Sequence, residues 1–204
     1  MQGYILHTQK VKDEDLLVFI LTKEYLVKSY RFYGARHPNI MLGHKIDFEL
    51  VENIKFLPHL RNVIHLGFIW QLNRERLLIW QQFMRLVFTH LKDVDEVESV
   101  YFAQLENCAQ KFEKQNPKRL IIESYVRILE HEGRLHSELE CFVCDERISG
   151  KICLVRGFLP AHDSCLNQAG FSHEKIEKLF NTKSTAWLDD IDVERLYQIL
   201  LEGF

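Results

Sequence analysis

One stretch constrains this chain more than any other: Cys141-Phe142-Val143-Cys144 and, seventeen residues further on, His162-Asp163-Ser164-Cys165. A C-x2-C turn brings two sulfurs to one point, and an H-x2-C pair at ribbon-like spacing can close a tetrahedron around zinc. Asp145, Gly150 and Gly157 supply turn chemistry between the pairs. Three sulfurs and one imidazole leave no coordination position open for water or substrate, so the expected zinc is structural rather than catalytic. Cys153 is the rival fourth ligand, but it sits in the strand-like run Lys151-Ile152-Cys153-Leu154-Val155, where a small core residue fits as well. The plainer alternative is a set of reduced core cysteines. A disulfide is the weaker expectation, because no secretory segment is recognisable at the N-terminus and a reducing compartment follows from that.

The hydrophobic pattern divides the 204 residues in two. Up to about residue 70 the chain reads as short strands: Tyr4–Leu6, Asp15–Thr22, Leu26–Tyr33, Lys45–Val51 and a fifth near Val63–Leu66. In the fourth, Ile46, Phe48 and Leu50 alternate with charged residues, which predicts a half-buried strand with one wet face. Five short strands in this span predict a small OB-like barrel. From about Asn73 the period changes. Leu77, Leu78, Trp80, Phe83, Leu86, Val87 and Leu91 recur at helical steps. A second helix is expected over about 94–114. A third starts at Asn116-Pro117, as N-cap and first helical residue, and ends at Gly133. Shorter helices follow from about Ser172 and over Asp190–Leu201. The expected class is therefore α+β: a barrel domain over 1–70, then a helical domain over 71–204 carrying a zinc insertion at 141–165.

Charge argues against strong electrostatic attraction to nucleic acid by the whole chain. The net charge is −3, about +2 over residues 1–70 and −5 over the rest. Any nucleic-acid site must be a local patch. Lys28, Tyr30, Arg31, Phe32, Tyr33, Arg36 and His37 place cations and rings on one strand and its following loop. Single strands are held this way, with cations along the phosphates and rings under the bases. The candidate DNA-binding residues are Lys28, Tyr30, Arg31, Arg36 and His37. Alternatively, Tyr30 and Phe32 fill the barrel and the bases are ordinary surface charges. No phosphate-binding glycine loop or nucleophile elbow occurs. His131 and His136 read as helix-end residues, so an enzyme is not expected. No run of about 18 apolar residues predicts a membrane span.

Three stretches together resemble a known family. They are the opening Met1-Gln2-Gly3-Tyr4-Ile5-Leu6, the loop Gly34-Ala35-Arg36-His37-Pro38 after the third strand, and Cys141-Phe142-Val143-Cys144 after the helix end that bears Arg134. The combination is similar to the bacterial recombination mediator RecO. Arg36 matches that family's loop, whereas Tyr33, His37 and Asn39 stand where further bases are usual, and His162 stands where the family often has Cys. The resemblance implies a non-enzymatic DNA-repair protein of the cytoplasm and nucleoid. Such a protein binds single- and double-stranded DNA, anneals complementary strands, docks the tail of the single-stranded-DNA-binding protein SSB, and with RecR helps load RecA. An acidic tail with a terminal carboxylate would suit bases on the helical body, for which Lys118, Arg119, Arg127 and Arg134 are the candidates. The alternative is a zinc-stabilised adaptor whose helices bind partners and whose barrel is structural.

Overall fold

In the computed structural model, residues 1–52, 56–94 and 96–204 are described. They form two compact units, Met1–Glu113 and Lys114–Phe204.

The first unit opens with a closed barrel of five strands: β1 (Gln2–Lys10), β2 (Leu16–Leu21), β3 (Leu26–Arg31), β4 (Lys45–Val51) and β5 (His59–His65). Their order around the barrel is β1-β2-β3-β5-β4. All pairings are antiparallel except β3 with β5, which run parallel and meet at Tyr30 and His59. The expected OB-like barrel is therefore present. Alternation sets its interior: Leu16, Val18 and Ile20 of β2 point inward and pack with Ile5, Val27, Ile46, Phe48, Leu60 and Val63. Gly3 lets β1 and β2 close together, since a Cβ there would lie 2.8 Å from the Leu21 carbonyl oxygen.

Helices α1 (Arg74–Leu91) and α2 (Ser99–Lys111) belong to the same unit. Asn73 caps α1, its side chain accepting from the Arg76 N–H at 3.1 Å. The expected second helix began at about 94, a span that includes residue 95, which lies outside the described residues. Tyr4, Trp70, Trp80 and Phe112 join barrel to helices, with ring centroids 4.7–5.8 Å apart in the contacting pairs. Trp80 is fully buried, and its Nε1 donates to the Gly43 carbonyl at 2.9 Å. Gly43 has φ +86° and would carry a Cβ 2.7 Å from the Trp80 ring, so only glycine fits the turn. Glu106 of α2 accepts from Tyr4 Oη at 2.9 Å and from Lys45 Nζ at 2.8 Å. The division expected near residue 70 thus marks the end of the barrel strands, while the compact unit runs on to Glu113.

The second unit contains α3 (Pro117–His131), the hairpin β6 (Ile152–Val155) and β7 (Leu159–His162), the single turn α4 (Asp163–Leu166), α5 (His173–Thr182) and α6 (Asp190–Leu200). Asn116 Oδ1 accepts from the N–H groups of Lys118 and Arg119, so the expected cap-and-proline start of α3 is in place. Tyr125, Phe158, Phe180, Leu196 and Leu200 are among its fully buried side chains.

Candidate metal centre and nucleic-acid interface

The Cys141–Cys144 turn is fixed by its own backbone. The Asp145 N–H donates to the Cys141 carbonyl at 2.8 Å, and the Cys141 N–H donates to the Glu146 carbonyl at 2.9 Å. Asp145 takes the left-handed conformation (φ +58°) that such a turn needs and Asp tolerates. The Phe142 N–H donates to the Pro160 carbonyl at 3.0 Å and ties the turn to β7. His162 ends β7 and Cys165 lies in α4. One ligand atom from each of Cys141, Cys144, His162 and Cys165 lies within 4.8 Å of all the others.

Three of the measured spacings are Cys144 Sγ to His162 Nδ1 at 3.5 Å, Cys165 Sγ to His162 Nδ1 at 3.8 Å, and Cys144 Sγ to Cys165 Sγ at 4.0 Å. Zinc bonds of about 2.3 Å to sulfur and about 2.0 Å to nitrogen give tetrahedral edges of about 3.5–3.8 Å. The donor set therefore fits a zinc ion. The sulfurs are free and well beyond the disulfide length of about 2.05 Å. The thiols shift one another's acidity in opposite directions. Burial raises the Cys141 thiol, but N–H donors from His162, Val143 and Cys144 outweigh it and bring the group down to about 6. Cys165 is pushed up to about 11 by desolvation and by the neighbouring Cys141 and Cys144 sulfurs. Crowded sulfurs oppose one another's ionisation, and a divalent cation lets all of them be thiolates. Cys153 lies outside this group; it is buried on β6, with its thiol directed to the Gln168 carbonyl at 3.4 Å.

The barrel brings the candidate DNA-binding residues to two places. Along β3, Lys28 and Tyr30 alternate with buried Val27 and Ser29, so they stand on the outer face. Tyr30, Phe32 and His59 form a ring cluster there, with centroids 5.0, 5.1 and 6.2 Å apart. Phe32 is 50% exposed, so it does not fill the barrel, and neither does Tyr30. Tyr30 Oη donates to Asp15 at 2.5 Å; that bond holds the phenol's pKa up and the carboxyl's down.

Arg31 has the parity of the buried positions, and its Nη1 turns to the Leu60 carbonyl at 2.8 Å. With His37, Arg61, Asn62, Val63 and Ile64 it lines a groove of about 580 Å³. Arg36 stands apart, ion-paired to Glu14 and 5.9 Å from the Tyr33 ring. His59, Arg61 and Asn62 were missed in the sequence reading. Only the parallel pairing of β3 with β5 puts them beside the candidate strand, and nothing local in the sequence signals it.

The four candidate partner-binding bases do not make a free basic face. Lys118 pairs with Glu194, and Arg119 reaches Asp190 and the carbonyls of Thr185 and Leu188. Arg127 donates to the Lys183 carbonyl, and Arg134 pairs with Glu132. The first three tie α3 to the segment running from α5 into α6. Elsewhere in this unit, Trp187 and Ile191 are exposed, with Lys178 Nζ 4.4 Å from the Trp187 ring centroid.

Comparison with known families bears on the barrel. Residues 1–71 match the family model described as RecO N terminal. The chain resembles RecO. The match spans the five strands and ends before α1, and it points to a DNA recombination and repair family. No curated protein matches the chain. No helix among the described residues is long and apolar enough to cross a membrane.

Proposed function

We propose that this chain is a non-enzymatic DNA-repair mediator of the RecO kind. The observation that carries the reading is the Tyr30–Phe32–His59 cluster with Lys28 beside it, on the outer face of a barrel that matches the RecO N-terminal model. Exposed rings on a barrel face stack on bases of any sequence, and the nearby cations track the backbone. Annealing follows if one surface neutralises two complementary strands and lowers their repulsion. Zinc, when bound at Cys141, Cys144, His162 and Cys165, supplies a cross-link between the 141–145 turn and the end of the β6–β7 hairpin. Acting with SSB and RecR to load RecA, in the cytoplasm, is the part of this reading that rests on the RecO likeness alone.

The deciding experiment is binding of a fluorescent single-stranded oligonucleotide across a salt series. Each neutralised phosphate contributes about −0.7 to the log–log slope. Phe32→Ala should weaken binding by about 1–3 kcal/mol while leaving the slope unchanged, because it removes stacking rather than charge. Absence of binding at low salt would overturn the reading. It would favour a protein-interaction adaptor, for which the exposed Trp187, with Lys178 against its ring, offers an apolar docking point.

A further inference from the structure

We propose that the groove lined by Arg31, His37, Arg61 and Asn62 at the β3–β5 seam is a phosphate-binding site. It is open, about 580 Å³ in volume, and its polar lining is cationic or neutral. Two nitrogen atoms in that lining, Arg31 Nε and His37 Nδ1, are buried and have no hydrogen-bond partner among the described residues. Buried donors without partners are rare in folded chains, because each leaves its loss of hydration uncompensated.

Arg31 is anchored by the bond from Nη1 to the Leu60 carbonyl, and its Nε–H is buried in the groove wall. A side-chain turn that opens the wall lets an anionic oxygen accept from Arg31 Nε–H and from His37 in its Nδ1–H form. Arg61 adds a second guanidinium from the exposed outer surface of β5. Two carboxylates face the groove strand across the β4–β5 ladder: Glu49, opposite Arg61, accepts from Asn62 Nδ2 at 2.6 Å, and Asp47, opposite Ile64, is paired with the Met1 amino group. Two guanidinium groups and an imidazole around an open volume suit a tetrahedral oxyanion better than an apolar ligand. Ile64, 61% exposed in the same wall, leaves room for a sugar or base beside the anion. The phosphate comes either from a nucleic-acid strand, which rests on the function proposed above, or from a free phosphate ester or ion, which does not.

The test follows the His37 imidazole by NMR in the intact protein, with inorganic phosphate as the probe and chloride at matched ionic strength as the reference. Burial and the Arg31 charge hold the free imidazole's pKa below its ordinary value, and a bound anion favours the charged ring and raises it. Phosphate should therefore shift the His37 titration upward. Arg61→Ala and Arg31→Lys should each weaken the phosphate affinity by about tenfold, with the resonances of His44 and His65 reporting that the barrel is intact. No phosphate-dependent change at His37 in millimolar phosphate overturns the proposal. So does a shift that survives both substitutions. An oligonucleotide that competes with phosphate at His37 identifies the strand as the source. Phosphate binding without such competition leaves the anion site standing for a free phosphate. An oligonucleotide that binds but leaves His37 unchanged then places the strand elsewhere on the protein, and one that does not bind at all counts against the nucleic-acid reading.

Discussion

The metal cluster and the β3–β5 face solve the same problem in different ways. At the cluster, four donors come from one turn and the end of one hairpin, within residues 141–165, and backbone bonds of those elements alone set their spacing. At the barrel, Tyr30 and His59 become neighbours only because β5 passes between β3 and β4 in the closed sheet. The first site survives or fails with a local turn and the ion it could hold. The second survives or fails with the whole first unit, including the Trp80 and Glu106 contacts that join α1 and α2 to the barrel. A defect in one unit should therefore leave the other unit's chemistry intact.

Removing zinc gives the largest expected effect. Cys144→Ser, or chelation, should abolish metal binding and cost several kcal/mol, because binding energy at a structural zinc is folding energy. For a unit of this size that lowers its melting transition by about 10 °C or more. Calorimetry and metal analysis on the same samples check this. The contrast breaks if oligonucleotide binding disappears along with the zinc, and the ligand assignment breaks if the zinc content is unchanged. Cys153→Ala should keep the metal.

Next comes Trp80→Ala, which should cost the first unit about 3–5 kcal/mol. Both barrel stability and DNA binding should fall, while the zinc content stays constant. If instead the second unit's melting transition falls with it, the two units are not independent.

Acid distinguishes the units through their histidines. His7, His37 and His44 all titrate below the ordinary histidine value in the folded first unit, each mainly because of burial, with His65 stacked on His44 at 3.9 Å. A histidine with a lowered folded pKa binds fewer protons folded than unfolded. Its contribution is therefore present above the unfolded value of about 6.5 and is lost as the pH falls below it. Urea midpoints of the first unit should decline on acidification below about pH 6.5. His44→Gln should flatten that decline, and an unchanged profile in the variant would remove His44 as its cause.

The same difference in construction explains what the sequence could reveal. The x2 spacings at 141–144 and 162–165 point to the four candidate ligands, while Cys153 stays open on sequence as a rival to His162; only the fold sets it apart, by placing its thiol at the Gln168 carbonyl, outside the cluster. The barrel was legible through the apolar run of β2 and the alternation in β4, and α3 through Asn116 and Pro117. The partners of the candidate bases were not legible. Arg36 meets Glu14, and Lys118 meets Glu194, across loops that close only in the folded chain. His59 and Arg61 carry no motif, and their place beside Tyr30 and Arg31 is a property of strand order. The unit boundary at Glu113 was hidden for a related reason: helical periodicity shows that α1 has a buried face but not what that face packs against.

Arg36 is where the comparison can be sharpened with the smallest effect. On sequence it is the base that matches the family loop, yet in the fold its charge is offset by Glu14. The pair is well exposed at the Arg36 end, where the side chain is 71% accessible, and such pairs are worth about 0–1 kcal/mol. A strand's phosphate can therefore compete for the guanidinium, but only against a resident carboxylate. Glu14→Gln removes the competitor and should tighten oligonucleotide binding by up to about fivefold, in keeping with that energy. The log–log salt slope should steepen as one more phosphate is neutralised. Arg36→Glu should weaken binding and shallow the slope. If neither substitution changes affinity or slope, the loop is not on the strand's path, and nucleic-acid contact is confined to the Tyr30–Phe32–His59 cluster and the groove beside it.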